Sequence, residues 1–189
     1  TYRIVIRTDA GERKLAMRRA PGTATPAHGG YPGLATEALL MSTARSAGVP
    51  EPEILWVLEP EDGLGDGFIM DWLEGETLGA RIVRDASLAA IRAKLAEQCG
   101  EILARIHAID LQATGLATRL ERLTPEQCVR ATWQRYQALD TPQPMLDFAA
   151  RWLLQHLPAT FEPTLVHNDF RNGNIMVSVD GVVAVLDWE

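Results

Sequence analysis

Cysteine is almost missing from this chain, with two residues in 189, Cys99 and Cys128. Their separation suits neither a metal-ligand pair nor a disulfide framework, so both read as reduced thiols on helices of a cytosolic protein. An excess of positive charge is missing too. Lys and Arg number 18 against 25 Asp and Glu, for a net charge of −7, and no basic run interrupts that balance. This argues against a nucleic-acid surface. No signal peptide is expected from the residues given, and they hold no apolar run long enough to span a bilayer, no repeat and no low-complexity tract. What remains is 47% hydrophobic residues, enough to bury a full core as one unit of two small lobes.

A phosphate-binding glycine loop is also absent, although two clusters imitate one. Gly63-Leu64-Gly65-Asp66-Gly67 lies between two expected strands, residues 53–59 and 67–73, with no helix after it, and reads as a hairpin turn. His28-Gly29-Gly30 precedes a helix but lacks the Gly-Lys-Ser/Thr ending of a P-loop, and reads as a flexible connector.

The informative stretch is residues 165–189, LVHNDFRNGNIMVSVDGVVAVLDWE. An apolar run leads into His167, a polar loop holds Asp169 and Arg171, Asn174 opens a second apolar run, and a Val-Asp-Gly turn leads to a third run ending at Asp187. The pattern predicts strand, loop, strand, hairpin turn, strand. Pairing of the last two strands brings Asn174 close to Asp187, with Asp169 on the loop just before them. Three oxygen-bearing side chains then converge. Magnesium takes oxygen ligands and usually only one or two carboxylates beside substrate phosphates, so Asp187 and the amide oxygen of Asn174 suffice as the protein share. Asp169 is left to accept a hydrogen bond from a substrate hydroxyl and align it on a γ-phosphorus. His167 braces the loop. Taken alone, H-x-D-x-x-x-x-N has four free positions, and a His-Asp pair in a loop is often only a turn; the flanking strands and the Asp ending the next hairpin make the functional reading the stronger one.

These residues resemble the aminoglycoside phosphotransferase and choline kinase-like group. Its catalytic loop, H-x-D-x-x-x-x-N, is matched by His167, Asp169 and Asn174, and its metal-binding Asp by Asp187 in DWE. The longer phrases DFRNGNIM and VAVLDWE look most like the branch associated with acyl-CoA dehydrogenases. Asn168 stands where Gly is common in the group; Asn is the non-Gly residue that best tolerates a left-handed backbone. The resemblance implies an α+β, protein-kinase-like bilobal fold, clipped at both ends. The small antiparallel-sheet N-lobe would cover residues 1–73 and the mainly helical C-lobe 74–189, with the catalytic loop at 167–174 and the metal-binding strand end at 187–189. A first strand and nucleotide-covering loop are expected before Thr1, and helices building much of the acceptor site after Glu189.

The upstream half can be laid against that expectation. Residues 2–6, a turn at 8–12 and residues 14–18 make a hairpin with Lys14, Ala16 and Arg18 on one face and Leu15, Met17 and Arg19 on the other. Ala16-Met17-Arg18 resembles the end of the protein-kinase V-A-I-K strand, Ala under the adenine and Arg in place of Lys on the phosphates. An exposed basic strand end is the alternative for Arg18. After a Pro- and Gly-rich connector at 21–33, a helix over 34–47 carries Leu34, Ala38, Met41 and Arg45 on one stripe and ends at Gly48 and Pro50. By resemblance, Glu37 is the partner of Arg18; otherwise it is a favourable dipole contact in a first turn. The apolar strand GFIMDWL runs into a linker, so Ile69, Met70, Asp71 and Trp72 form the hinge expected to bind adenine, continuing to about residue 73.

Beyond the hinge the chain should be helical. Ser87 is expected to cap a helix to residue 109, with Leu88, Ile91, Leu95, Cys99, Ile102, Leu103 and Ile106 buried and His107 stabilising its C-terminal end. Thr124-Pro125-Glu126-Gln127 has capping-box order and starts a helix to about residue 139. Pro142 and Pro144 open another, to about 157, with Leu146, Ala149, Trp152 and Leu153 inward. The expected activity is ATP- and magnesium-dependent phosphoryl transfer to a small-molecule hydroxyl. A nucleotide-binding pseudokinase and a kinase acting on protein side chains are the alternatives. Aminoglycosides, choline-like alcohols and hydroxyacyl thioesters all remain open as acceptors.

Overall fold

A computed structural model describes residues 1–9, 11–20 and 33–188; the connector up to residue 32, with His28-Gly29-Gly30, and the terminal Glu189 lie outside them. The chain divides into two compact units, Thr1–Arg119 with Leu165–Glu189, and Leu120–Thr164.

In the first unit, β1 (Tyr2–Thr8) and β2 (Gly11–Arg19) form the expected hairpin, and β3 (Ile54–Val57) and β4 (Gly67–Asp71) extend it to a four-stranded antiparallel sheet of order β1-β2-β4-β3. β4 is therefore central. Gly67 begins it because a Cβ there would meet the carbonyl oxygen of Arg18 at 2.5 Å, so only Gly lets the two strands approach. The 63–67 cluster is a turn, as its placement between strands implies, with Gly63 and Gly65 at φ 65° and 76°.

The helix α1 (Leu34–Ser46) follows the connector and buries Leu34, Thr36, Glu37, Ala38, Leu40, Met41 and Ala44. Its buried arc is wider than the expected stripe, and Arg45 lies outside it, exposed at the helix end. Gly48, at φ 83°, terminates it as the Gly-Pro signal requires.

Several expectations are corrected here. A short helix, α2 (Gly79–Arg84), precedes the long one, α3 (Ala89–His107), which stops two residues before the expected 109. Ser87 does not cap α3. Asp85 accepts hydrogen bonds from the amide and hydroxyl of Ser87 at 2.9 and 2.7 Å, capping a 3₁₀ turn at Ala86–Leu88 that leads into the helix. Ser87 lies inside that turn and gives both its amide and its hydroxyl to Asp85, so its hydroxyl does not stand at the start of α3. The apolar run before His167 is not a strand; only β5 (Ile175–Ser178) and β6 (Gly181–Val185) pair, as a separate two-stranded sheet. That hairpin packs on α3 through Ile82, Leu88, Ile91, Ile175 and Val177, joined by Leu95 and Cys99. Burial pushes the Cys99 thiol pKa up; Cys128 is exposed.

In the second unit, α4 (Pro125–Gln137) begins with the capping box read from sequence: Thr124 Oγ1 accepts from the Gln127 amide, and Gln127 Oε1 from the Thr124 amide. The other helix, α5 (Pro144–Gln155), is rotated from its expected setting. Leu146, Trp152 and Leu153 are 51%, 49% and 43% exposed, Ala149 is exposed, and Ala150 is buried instead. Asp147 decides the rotation, accepting from Trp133 Nε1 and from the Tyr136 hydroxyl at 2.8 and 3.3 Å. The face set by Asp147 and Ala150 lies one residue, about 100°, from the apolar stripe. No described helix is long and apolar enough to cross a membrane.

Candidate active site

The β5–β6 hairpin carries the site. Its register pairs Ile175 with Val185, and the Leu186 amide donates to the Asn174 carbonyl at 2.7 Å. Asn174 and Asp187 therefore leave the hairpin at the same end. Both flanking loops contain non-Gly residues in the left-handed region, Asn168 at φ 64° and Asp187 at φ 66°. Asn and Asp bear this conformation at least cost, so the loop keeps the geometry that a Gly would give it.

Asp169 is held from two sides. Arg171 Nε lies 2.8 and 3.0 Å from its two carboxylate oxygens, and Asn174 Nδ2 donates to its Oδ2 at 2.8 Å and to its carbonyl at 3.0 Å. The Arg171 hydrogen bond, with help from Asn174, holds the Asp169 carboxyl below the usual carboxylate range. It is thus ionised at neutral pH. Because Asn174 spends its N–H groups on Asp169, its amide oxygen is left for another partner.

His167 is 2% exposed and joins the two halves of the site. The Asp169 amide donates to its Nδ1 at 3.3 Å, which places the imidazole proton on Nε2, 3.1 Å from the Leu186 carbonyl. Burial lowers its pKa and keeps the ring neutral. Its ring packs against Trp188 with centroids 4.7 Å apart.

From the sheet, Arg18 reaches this cluster. Its Nε lies 3.0 Å from Glu37 Oε2 and its Nη2 2.8 Å from Asp187 Oδ1. The pairing expected from resemblance forms, and the same guanidinium adds a bond to Asp187 that the sequence reading did not include. Ala16 is 5% exposed and pairs with Met70. Ile69, Met70 and Asp71 lie inside β4, paired with β2 and β3, and the Asp71 amide donates to Glu53. Their backbone groups serve the sheet, and Trp72 is the first residue of the hinge set past the ladder. The Asp71 carboxylate accepts from Arg13 at 2.7 Å, and Trp72 Nε1 donates to Glu74 at 2.9 Å.

The donor set fits magnesium. It offers one carboxylate, Asp187, with its side chain 38% exposed, and one uncommitted amide oxygen, Asn174, at the same hairpin end. Among the described residues no cluster of three His, Cys, Asp or Glu could hold a metal by itself.

Sequence reasoning missed two residues. The sequence places Arg171 only in the loop, although an Arg two positions past an Asp is within reach of it. Glu51, in Val49-Pro50-Glu51-Pro52-Glu53, carries no sequence signal for its position: it is 3% exposed and accepts from Trp188 Nε1 at 3.0 Å.

A paired His-Asp loop, a carboxylate at the next strand end and a sheet-borne cation bound to a helix Glu define a kinase-like phosphotransferase fold. The chain belongs to the phosphotransferase enzyme family, which it matches over residues 3–189. It is 34% identical over 191 aligned positions to acyl-CoA dehydrogenase family member 10 of Mus musculus, an alignment covering 94% of this chain and 17% of that protein. Among solved structures it is similar to a "putative aminoglycoside phosphotransferase" from Ralstonia eutropha, with TM-score 0.72, 24% identity, and coverage of 99% of this chain and 58% of that one. It is also similar to macrolide 2'-phosphotransferase MphH from Brachybacterium faecium, with TM-score 0.61, 20% identity, and coverage of 98% and 61%. The chain spans less than two thirds of the length of each of these relatives. The family and the acyl-CoA dehydrogenase branch read from the catalytic motifs are both met by these matches.

Proposed function

We propose that the protein is a small-molecule kinase that moves the γ-phosphoryl group of ATP to a hydroxyl. The observation that carries this reading is the convergence of Asp169, Asn174, Asp187 and Arg18 at one end of a hairpin. Asp169, ionised and aimed by Asn174 and Arg171, takes the proton of the acceptor hydroxyl as that oxygen bonds to the γ-phosphorus and ADP departs. Arg18, fixed by Glu37, holds phosphate oxygens with its forked donors. Asp187 and the Asn174 amide oxygen hold magnesium, which supplies neutralisation of the charge developing on the phosphates. His167, neutral and buried, keeps the catalytic loop in register with the strand end that bears Asp187. Ala16, the end of β4 and Trp72, the hinge residue past the ladder, form the adenine side of the site.

The test is ADP release by the full-length protein across aminoglycosides, choline-like alcohols and hydroxyacyl thioesters, the last included because of the acyl-CoA dehydrogenase relative. Release with one class, dependent on magnesium and abolished by Asp169→Asn, supports the reading. Magnesium-dependent ATP binding without release for any acceptor would make the protein a nucleotide-binding pseudokinase.

A further inference from the structure

Asp187 sits in a left-handed conformation that carries a cost for any non-Gly residue, a small one for Asp, and contacts on both sides of it hold it there. Its φ of 66° lies in the left-handed region, which costs a non-Gly residue energy and persists only where neighbours over-determine it. On one side of Asp187, the Val185 amide donates to the Pro50 carbonyl at 2.9 Å and Leu186 is bonded to both Asn174 and His167. On the other side is Trp188, 1% exposed, whose indole N–H donates to Glu51 Oε1 at 3.0 Å. Residues 50 and 51 thus grip the chain both before and after the proposed metal ligand, across a sequence separation of 137 residues for the Trp188 bond.

Glu51 is an unusual choice for this position. Its Oε2 is fully buried and without a hydrogen-bond partner among the described residues. Burial raises its pKa well above the ordinary value, with Glu37 adding to the rise and the Trp188 hydrogen bond and Arg45 opposing it. Arg45 donates to the Glu51 backbone carbonyl at 2.7 Å, so the segment is also tied to the end of α1. A buried carboxyl with a vacant oxygen is costly, and its one side-chain hydrogen bond goes to the residue following Asp187.

We infer that Glu51 is a positioning residue for phosphoryl transfer, holding Asp187 in its metal-facing conformation through the indole of Trp188. This rests on the reading of Asp187 as a magnesium ligand. Support of a metal ligand by a second layer of hydrogen bonds has a known scale: removing such a partner costs about tenfold to a hundredfold in metal affinity or activity. The Glu51 side chain bonds to Trp188 and to neither Asp187 nor Asn174, so it acts through Trp188.

The test uses the full-length protein, wild type and four variants: Glu51→Leu, Glu51→Gln, Trp188→Phe and Asp187→Ala. Calorimetry compares ATP affinity with and without magnesium, and fluorine NMR of fluorotryptophan-labelled protein follows the Trp188 resonance, assigned by its loss in Trp188→Phe. Glu51→Leu and Trp188→Phe are expected to weaken magnesium-dependent binding about tenfold to a hundredfold while leaving metal-free ATP affinity near wild type. Glu51→Gln, which keeps an acceptor oxygen, should restore both the affinity and the Trp188 resonance position. If Asp187→Ala abolishes the magnesium effect but Glu51→Leu and Trp188→Phe retain it, the positioning role is overturned and the metal reading stands. If Asp187→Ala itself retains the effect, the metal reading falls and the positioning role with it, and the fluorine signal then reports only a structural tie. Should Glu51→Leu fail to fold, Trp188→Phe, which keeps a ring in place, decides the question.

Discussion

Arg18 Nη2 lies 2.8 Å from Asp187 Oδ1, so the cation of the sheet and the carboxylate of the hairpin are already bonded to one another. The same guanidinium holds Glu37, whose side chain is only 1% exposed. A single fork thus links α1, β2 and the strand end that carries the proposed metal ligand. Phosphate oxygens would meet a guanidinium whose position is set by two carboxylates.

Arg18→Met removes a partner from a buried carboxylate, and breaking a buried pair from one side costs about 3 to 5 kcal/mol; the partial exposure of Arg18 favours the lower end. The urea midpoint should fall with the slope unchanged. Adding Glu37→Gln to Arg18→Met should recover part of the loss, because the buried Glu37 charge is then removed and only the partly exposed Asp187 carboxylate is left without its cation. Equal stability of wild type and Arg18→Met would show that the pair does not support the fold.

Asp169→Asn should leave ATP affinity near wild type while lowering turnover about 10²- to 10⁴-fold, the usual range for loss of a general base. The pH profile adds a second reading. Arg171 is the main cause of the lowered Asp169 pKa, so Arg171→Gln should raise it. Since the base acts ionised, the acidic limb of kcat/KM would move to higher pH. An unmoved limb would remove Asp169 as the titrating group.

Asp187→Ala should sharply weaken magnesium-dependent ATP binding, and Asn174→Ala should do so less, because water replaces one neutral ligand more readily than a carboxylate. Asn174→Ala has a further effect, since it also frees Asp169 from the Asn174 Nδ2 hydrogen bond. Turnover should therefore fall more than metal affinity in that variant. Calorimetry set beside kcat separates the two.

Glu51 gives a pH dependence of stability. Its folded pKa is raised, so the native state binds a proton more readily than the unfolded chain, and its contribution is fully present below the ordinary value of 4.5 and lost as pH rises through the folded pKa. Glu51→Gln, neutral throughout, should be more stable than wild type at neutral pH, with the gap closing toward pH 4.5. Parallel thermal unfolding from acid to neutral pH measures it. A gap constant with pH would mean that Glu51 does not titrate on unfolding.

Thr124→Ala removes the side-chain half of a capping box and should cost about 1 kcal/mol, read as lost helicity and a lower melting temperature. Thr124→Ser should cost much less, because its hydroxyl also reaches the Gln127 amide.

Features whose causes lie within a few residues were legible from sequence. The Thr124 cap, the Gly48 helix stop, the β1–β2 hairpin and the turn at 63–67 each depend on atoms close along the chain, where residue type and spacing decide the geometry. The His167, Asp169, Asn174 and Asp187 set was legible for the same reason: one loop and one hairpin bring it together. Features that depend on a distant partner were not. The face of α5 was chosen by a hydrogen bond from Trp133 to Asp147, which outweighed the apolar stripe. The hold of Glu51 on Trp188 joins residues 137 positions apart. Sequence alone determined the chemistry-bearing groups and the local backbone that presents them. Only the tertiary structure decided which buried charges meet, because desolvation and hydrogen bonding between remote segments come into force only when those segments pack.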